Sequence, residues 1–188
     1  MEFYPAGVPV PEENRTDRLF LRPLRITDVE LDYDAVMSSA EQLRRWSQST
    51  WPPDDFTLAQ DLEDLERHER EHIERKAFTY TVLNPQATQC LGCVYIEALW
   101  ADAAQLCGKS NHAAIVSFWV RASELASDLD RHLLESLRKW FQDDWAFDCV
   151  LFGTSPQDAC QPTLFTETGL EQRLTFPLPN GGLYLVFR

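Results

Sequence analysis

The chain has 188 residues, 44% of them hydrophobic, which is enough for one sizeable core and too short for two comfortable domains. Its 30 acidic residues outnumber 17 basic ones and leave a net charge of −13, which excludes nucleic acid as a partner, because phosphate contacts need clustered Lys and Arg. The same charge keeps the protein soluble and is compatible with a cationic or amine substrate.

No apolar run approaches the roughly 20 residues that cross a bilayer, so no membrane partner is expected. The opening "MEFYPAGVPVPEENR" has neither the basic region nor the apolar core of a signal peptide, and the expected location is cytoplasmic. Five scattered cysteines, an odd number, fit reduced thiols better than a disulfide framework. Cys90 and Cys93 form a C-x-x-C pair with His112 downstream, but no second pair stands at zinc spacing, so no metal is expected.

In chain order, residues 1–16, with Pro5, Pro9 and Pro11, read as an extended arm ahead of a single domain, 17–188. "RLFLRPL" (18–24) alternates as a strand and ends at Pro23. Thr27 is a plausible N-cap for an amphipathic helix carrying Val29, Tyr33, Val36 and Met37. Residues 44–56 read as a loop bearing Trp46 and Trp51, and 57–76 as a charged surface helix with a narrow stripe of Leu58, Leu62, Leu65 and Ile73.

Three strand-like runs, 77–84, 89–99 and 112–120, form an antiparallel meander. A helix over 127–142 should bury Leu129, Leu133, Leu134, Leu137, Trp140 and Phe141. A buried strand follows at 149–155, then a short helix over 162–168 stopped by Gly169, then a hairpin around "NGG" (180–182). The class is α+β with a mixed, mostly antiparallel sheet of about seven strands and flanking helices. Strands 112–120 and 149–154 should be parallel neighbours that diverge at one end, because the long apolar stripe between them makes a crossover helix.

Four stretches, "TDRLFLRPLRITD" (16–28), "LGCVYIEAL" (91–99), "IVSFWV" (115–120) and "DACQPTLFTETGL" (158–170), together with the element order, resemble the GNAT superfamily of N-acetyltransferases, in the branch that acetylates ribosomal-protein N-termini. The resemblance spans about residues 16–188. It implies acetyl-CoA as co-substrate, lying where the fourth and fifth strands splay apart, with its pantetheine arm on the backbone of Phe118, Trp119 and Val120. It also places the pyrophosphate on the next helix N-terminus, where the helix dipole, unpaired N–H groups and glycines make a cradle. Here that turn is Ser127, Asp128, Leu129 and Asp130: two carboxylates stand where the family has small residues, and Leu125 replaces a Gln or Arg. Ser127 and Asp130 read as a variant capping box that fills the cradle itself.

The family's fourth-strand Glu falls on Ile115, its Tyr acid on Phe165, and its Asn-x-x-Ser on Asp158 and Gln161. Glu97 is the candidate base, or else a solvent-facing strand carboxylate. His112 and His132 are further candidates, His132 reading as solvated; Cys149 and Cys160 are poor nucleophiles. Trp46 and Trp51 wall the acceptor site in this branch, or are edge-of-core aromatics. Two functions follow: an N-acyltransferase moving an acetyl or other acyl group from acyl-CoA to a small-molecule or peptide primary amine, or a GNAT-fold binding protein that has left acetyl-CoA chemistry. The arm of residues 1–16 is also a candidate strap for a homodimer.

Overall fold

The computed structural model describes residues 3–108, 110, 112–178 and 181–188. Its strands are β1 (Asn14–Arg15), β2 (Phe20–Pro23), β3 (Phe78–Leu83), β4 (Cys90–Ala98), β5 (Ala113–Val120), β6 (Cys149–Thr154), β7 (Gln172–Pro177) and β8 (Leu183–Phe187). Its helices are α1 (Val29–Ser38), α2 (Ala40–Ser47), α3 (Leu58–Ile73), α4 (Ala101–Ala104), α5 (Leu129–Asp143) and α6 (Gln161–Glu167). The strands form one sheet in the order β1-β2-β3-β4-β5-β6-β8-β7. The eighth strand, beyond the seven expected, is β1, where the arm pairs Asn14 with Leu21 and Arg15 with Phe20.

β3, β4 and β5 are the expected antiparallel meander. β5 and β6 are parallel through Ala113–Cys149 to Val116–Phe152. Beyond that pair they part, and the end of β6 pairs with β8 instead. The crossover between them is α5, whose Leu129, Leu133, Leu134, Leu137, Trp140 and Phe141 are all buried against one sheet face. The arm lies over that same core: Tyr4 is buried, Tyr80 donates to the Pro11 carbonyl (2.5 Å), and Arg75 donates to the carbonyls of Pro5 and Val8.

The opposite face carries α1, α2 and α3, and several expectations change there. Thr27 does not cap α1. A helical turn (Ile26–Asp28) precedes that helix, and it is pinned by Asp28, which accepts two bonds from Arg22 (2.6 and 2.7 Å) and one from the Arg25 N–H. Residues 44–47 belong to α2 rather than to the loop. In α3 the inward face is Asp61, Leu65, His68 and His72, while Leu58 and Ile73 are exposed. Spacing of i, i+4, i+7 and i+11 puts these four on one side, where Asp61, Leu65 and His68 line a cavity and His72 packs on Phe78 and Tyr80.

α6 ends at Gly169 in the left-handed region (φ 84°). β7 and β8 form the final hairpin, with Asn180 of its turn outside the described residues. One expectation is overturned: Cys107 and Cys149 are joined by a disulfide, the turn after α4 (Gln105–Cys107) having been folded against the start of β6. A separation of 42 residues hides that proximity from a spacing argument. Cys90 and Cys93 are buried free thiols, and Cys160 is an exposed one. No described helix is long and apolar enough to cross a membrane.

Candidate functional site

A groove opens on the α1–α3 face where the sheet splits. It consists of two adjoining cavities, of about 360 and 310 Å³, which share Trp46, Glu97 and Ser117. Strand alternation builds its floor: Cys93, Tyr95 and Glu97 of β4 lie beside Trp119, Ser117 and Ile115 of β5, all on one face. Ser117 is the first β5 residue beyond the last β5–β6 pair.

Trp46 leans on Tyr95 with ring centroids 5.8 Å apart, and Trp51 meets Phe56 edge-on at 6.1 Å. Both tryptophans are half-buried groove walls. The Trp119 indole N–H donates to the Tyr95 hydroxyl (3.2 Å), which fixes that ring.

Glu97 is solvent-accessible at the junction of the two cavities. The surrounding walls remove enough water to raise its carboxyl above the ordinary range, with Glu71 adding to the shift and Arg67 opposing it. Its cross-strand partner is Ile115, so the carboxylate stands one strand over from the place where the resemblance puts a Glu. Such directly opposed side chains begin about 5 Å apart.

Tyr184 was not legible as a site residue. Its ring lies over Gly153, where a Cβ would come within 2.3 Å of it. It lines the second cavity together with Ser117, and burial raises the pKa of its hydroxyl so that it stays protonated. His68, also unforeseen, is held near pKa 4 by burial and by Arg67, and is neutral at pH 7. Arg67 can only donate to its Nε2 (3.2 Å), so Nδ1 carries the hydrogen and points to Thr79 Oγ1 (3.1 Å).

The far end of the larger cavity holds Asp32 of α1 with Asp61 and Asp64 of α3. Asp32 and Asp61 are 7% and 1% exposed. Burial is the first cause that raises the carboxyl pKa of both; mutual repulsion then raises Asp32 further, and Asp64 raises Asp61. Burial and repulsion both favour the neutral, protonated form in this pair.

The residues assigned to the acyl-CoA cleft sit as follows. Phe118 and Val120 turn their backbone toward the splay and their side chains into the α5 core, while Trp119 points to the groove face. The Phe118 carbonyl accepts from Gln161 Nε2 (2.8 Å) and the Val120 carbonyl from Gln42 Nε2 (3.1 Å). Gln161 also accepts from the Thr154 hydroxyl (2.6 Å), so its amide bridges the gap from β5 to β6. Phe165, at the Tyr position, is fully buried beside Phe118.

At the turn, no capping box forms between Ser127 and Asp130. The Ser127 hydroxyl donates to the Glu124 carbonyl (2.8 Å), because residues 122–127 coil as their own helical turn. The N-cap of α5 is Asp128, left-handed at φ 54°, a conformation glycine adopts freely. Leu129 is buried, and Asp130 accepts the Arg131 N–H (2.9 Å), occupying one of the helix's unpaired donors. Arg18 reaches the same turn, donating to the Ser127 carbonyl (2.7 Å).

His132 is not merely solvated, since its ring bonds Thr16 Oγ1 (2.8 Å). His112 stands outside the groove beside Asp148. Cys149 is bonded to Cys107 and carries no thiol. Among the described residues no cluster of three or more His, Cys, Asp or Glu could hold a metal ion.

A mixed sheet that splits beside a walled groove, with a helix N-terminus at the split, is the architecture of GNAT N-acetyltransferases, and this chain has that fold. RimL, the ribosomal L7/L12 α-N-protein acetyltransferase solved with coenzyme A, superposes with a TM-score of 0.71 at 12% identity, over 94% of this chain and 96% of that one. The microcin C7 self-immunity acetyltransferase MccE, solved with acetyl-CoA and AMP, gives 0.72 at 12% identity, over 92% of each chain. A GNAT-family acetyltransferase from Bacillus anthracis gives 0.67 at 11% identity, over 93% of this chain and 96% of that one. No protein-family model and no curated protein matches the sequence.

Proposed function

We propose that the chain is an N-acyltransferase that moves an acetyl or other acyl group from acyl-CoA to a primary amine in the groove. The observation that carries this is the meeting of groove and splay at Ser117, with Glu97 and Tyr184 on either side of it. In this reading Glu97 takes the proton of the amine, directly or through a water. The amine nitrogen then attacks the thioester carbonyl, forming the C–N bond as the C–S bond breaks. The thiolate takes up a proton through the Tyr184 hydroxyl, which is refilled by the proton that Glu97 accepted, so no tyrosinate persists in the buried site. Holding amine and thioester together supplies much of the rate. The test is thiol release from acetyl-CoA in the presence of simple primary amines, with Glu97→Gln expected to lower turnover at least about a hundredfold, the lower range for a lost general base. Amine-dependent turnover equal in both proteins would overturn the assignment of Glu97. No thiol release with any amine would overturn the enzyme.

A second reading, a GNAT-fold binding protein without acyl-CoA, is favoured by a different observation. Gln161 and Gln42 already occupy the Phe118 and Val120 carbonyls respectively, and Asp128 and Asp130 stand at the phosphate turn. Two carboxylates near a pyrophosphate repel it by about 1–4 kcal/mol per charge pair at surface-like dielectric. Calorimetric titration with CoA separates the two readings, since only the first requires binding.

A further inference from the structure

We infer that the acceptor is a dicationic amine: one amino group reacts at Glu97 and Ser117 while a second, as ammonium, is held at the far end of the groove by Asp32 and Asp61. This rests on the acyltransferase reading and names its substrate class. Three observations carry it.

The first is an unmet acceptor. Asp61 lines the larger cavity, is 1% exposed, and its Oδ2 has no hydrogen-bond partner. A buried carboxylate in a cavity wall, with one oxygen that no donor reaches, calls for a donor, and an ammonium brings three with a compensating charge. The second is the wall. Trp46, Trp51 and Tyr95 offer aromatic faces along the groove, a surface that suits both a methylene chain and a cation. The third is the spacing. Asp32 touches Cys90 (Oδ1 to Sγ, 3.9 Å), and the floor then runs along β4 from Cys93 to Glu97. Asp32, Cys93 and Glu97 line the same cavity, and the four residues from Cys93 to Glu97 span about 13 Å of strand, which an extended diamine covers with a hydrogen bond added at each end.

The other charged or titratable groups facing the carboxyl pair are few. Asp28 is neutralised by Arg22, Asp64 adds a further negative charge from α3, and His68 is neutral. Arg67 is occupied by Asp64 and Glu71, while Cys90 and Cys93 on β4 are buried thiols raised far above neutrality. The end of the cavity is therefore net negative. A proton taken up by one of the two carboxyls stands in for the cation until one arrives, and ammonium binding expels it.

The experiment is calorimetric titration of the protein, without CoA, with diaminobutane, diaminohexane and the singly charged butylamine. Repeating it in buffers of different ionisation enthalpy counts protons. A diamine should bind at least about tenfold more tightly than butylamine and release a proton, the release fading above the pair's raised pKa. Asp61→Asn, an isosteric change, should erase the preference for diamines over butylamine. It should also raise the melting temperature at neutral pH, because a buried carboxyl with raised pKa costs stability as pH climbs through that pKa. Asp64→Asn should weaken the diamine only slightly. Equal affinities for the diamines and butylamine, or a diamine preference intact in Asp61→Asn, would overturn the inference. Because these assays need no turnover, they fail independently of the acyltransferase reading: thiol release with monoamines alone would keep the enzyme and remove the dication.

Discussion

Gln161 offers the sharpest perturbation, because one side chain holds the split sheet together. It is 4% exposed, accepts from Thr154 at 2.6 Å and donates to the Phe118 carbonyl at 2.8 Å. Gln161→Ser restores the residue type that the GNAT resemblance places there, and it is too short to bridge the gap. It leaves a hydroxyl and a carbonyl unpaired, each costing about 1–3 kcal/mol when buried, with water in the opened gap recovering part. The expected loss is about 2–4 kcal/mol, or about 5–15 °C in melting temperature for a domain of this size.

The same change frees the Phe118 carbonyl for an amide N–H of a pantetheine arm. A net hydrogen bond of about 1 kcal/mol corresponds to roughly fivefold tighter CoA binding. Thermal unfolding and CoA titration of both proteins measure the two effects. An unchanged melting temperature would show that the amide bridge holds nothing. Weaker CoA binding by the variant would make Gln161 a ligand contact and not a plug.

Asp128→Gly should be neutral or stabilising by up to about 1 kcal/mol, since residue 128 already sits at φ 54°, whereas Asp130→Gly should cost about 1 kcal/mol in the first turn of α5. The double variant should bind CoA more tightly with a weaker salt dependence, and identical titrations at low and moderate salt would refute the repulsion argument. Gly153→Ala should cost about 1–3 kcal/mol by driving a Cβ into the Tyr184 ring, and much less when Tyr184 is replaced by Val. A double-mutant cycle on melting curves that shows no coupling would place the strain elsewhere.

The sequence made the sheet legible where side-chain periodicity and burial agree. The six apolar residues of α5, the meander and the parallel pair that parts after Val116 all follow from apolar spacing. The groove was legible only at its rim. Trp46, Trp51 and Glu97 stand out as residue types, but α3 was read through its leucines, and the face it turns inward is Asp61, Leu65, His68 and His72. A periodicity argument counts apolar residues, so a helix that presents carboxylates and an imidazole to a cavity looks like a surface helix. The regular recurrence of those polar residues was the available signal. Tyr184 needed the strand order, because β8 comes to lie beside β6 only through its pairing.

The same limit governs motif reading in general here. A family motif ties a chemical group to a chain position, whereas the reaction needs it at a point in space. Ile115 breaks the motif on β5, yet its cross-strand partner Glu97 brings a carboxylate to the same wall of the groove. Phe165 breaks the motif on α6, and it is buried with Phe118 as core; the hydroxyl beside Ser117 comes instead from Tyr184, admitted over β6 by the missing Cβ of Gly153. On the proposed function, the carboxylate is thus supplied from one strand over and the hydroxyl from β8 instead of from α6. The phosphate turn is a different case, because there the backbone is left-handed at Asp128 while the side chains supply charge of the wrong sign for an anion. A substituted group can be replaced from a neighbouring strand, but an added charge at the binding turn can only be offset, and Arg18 is the cation that already reaches it.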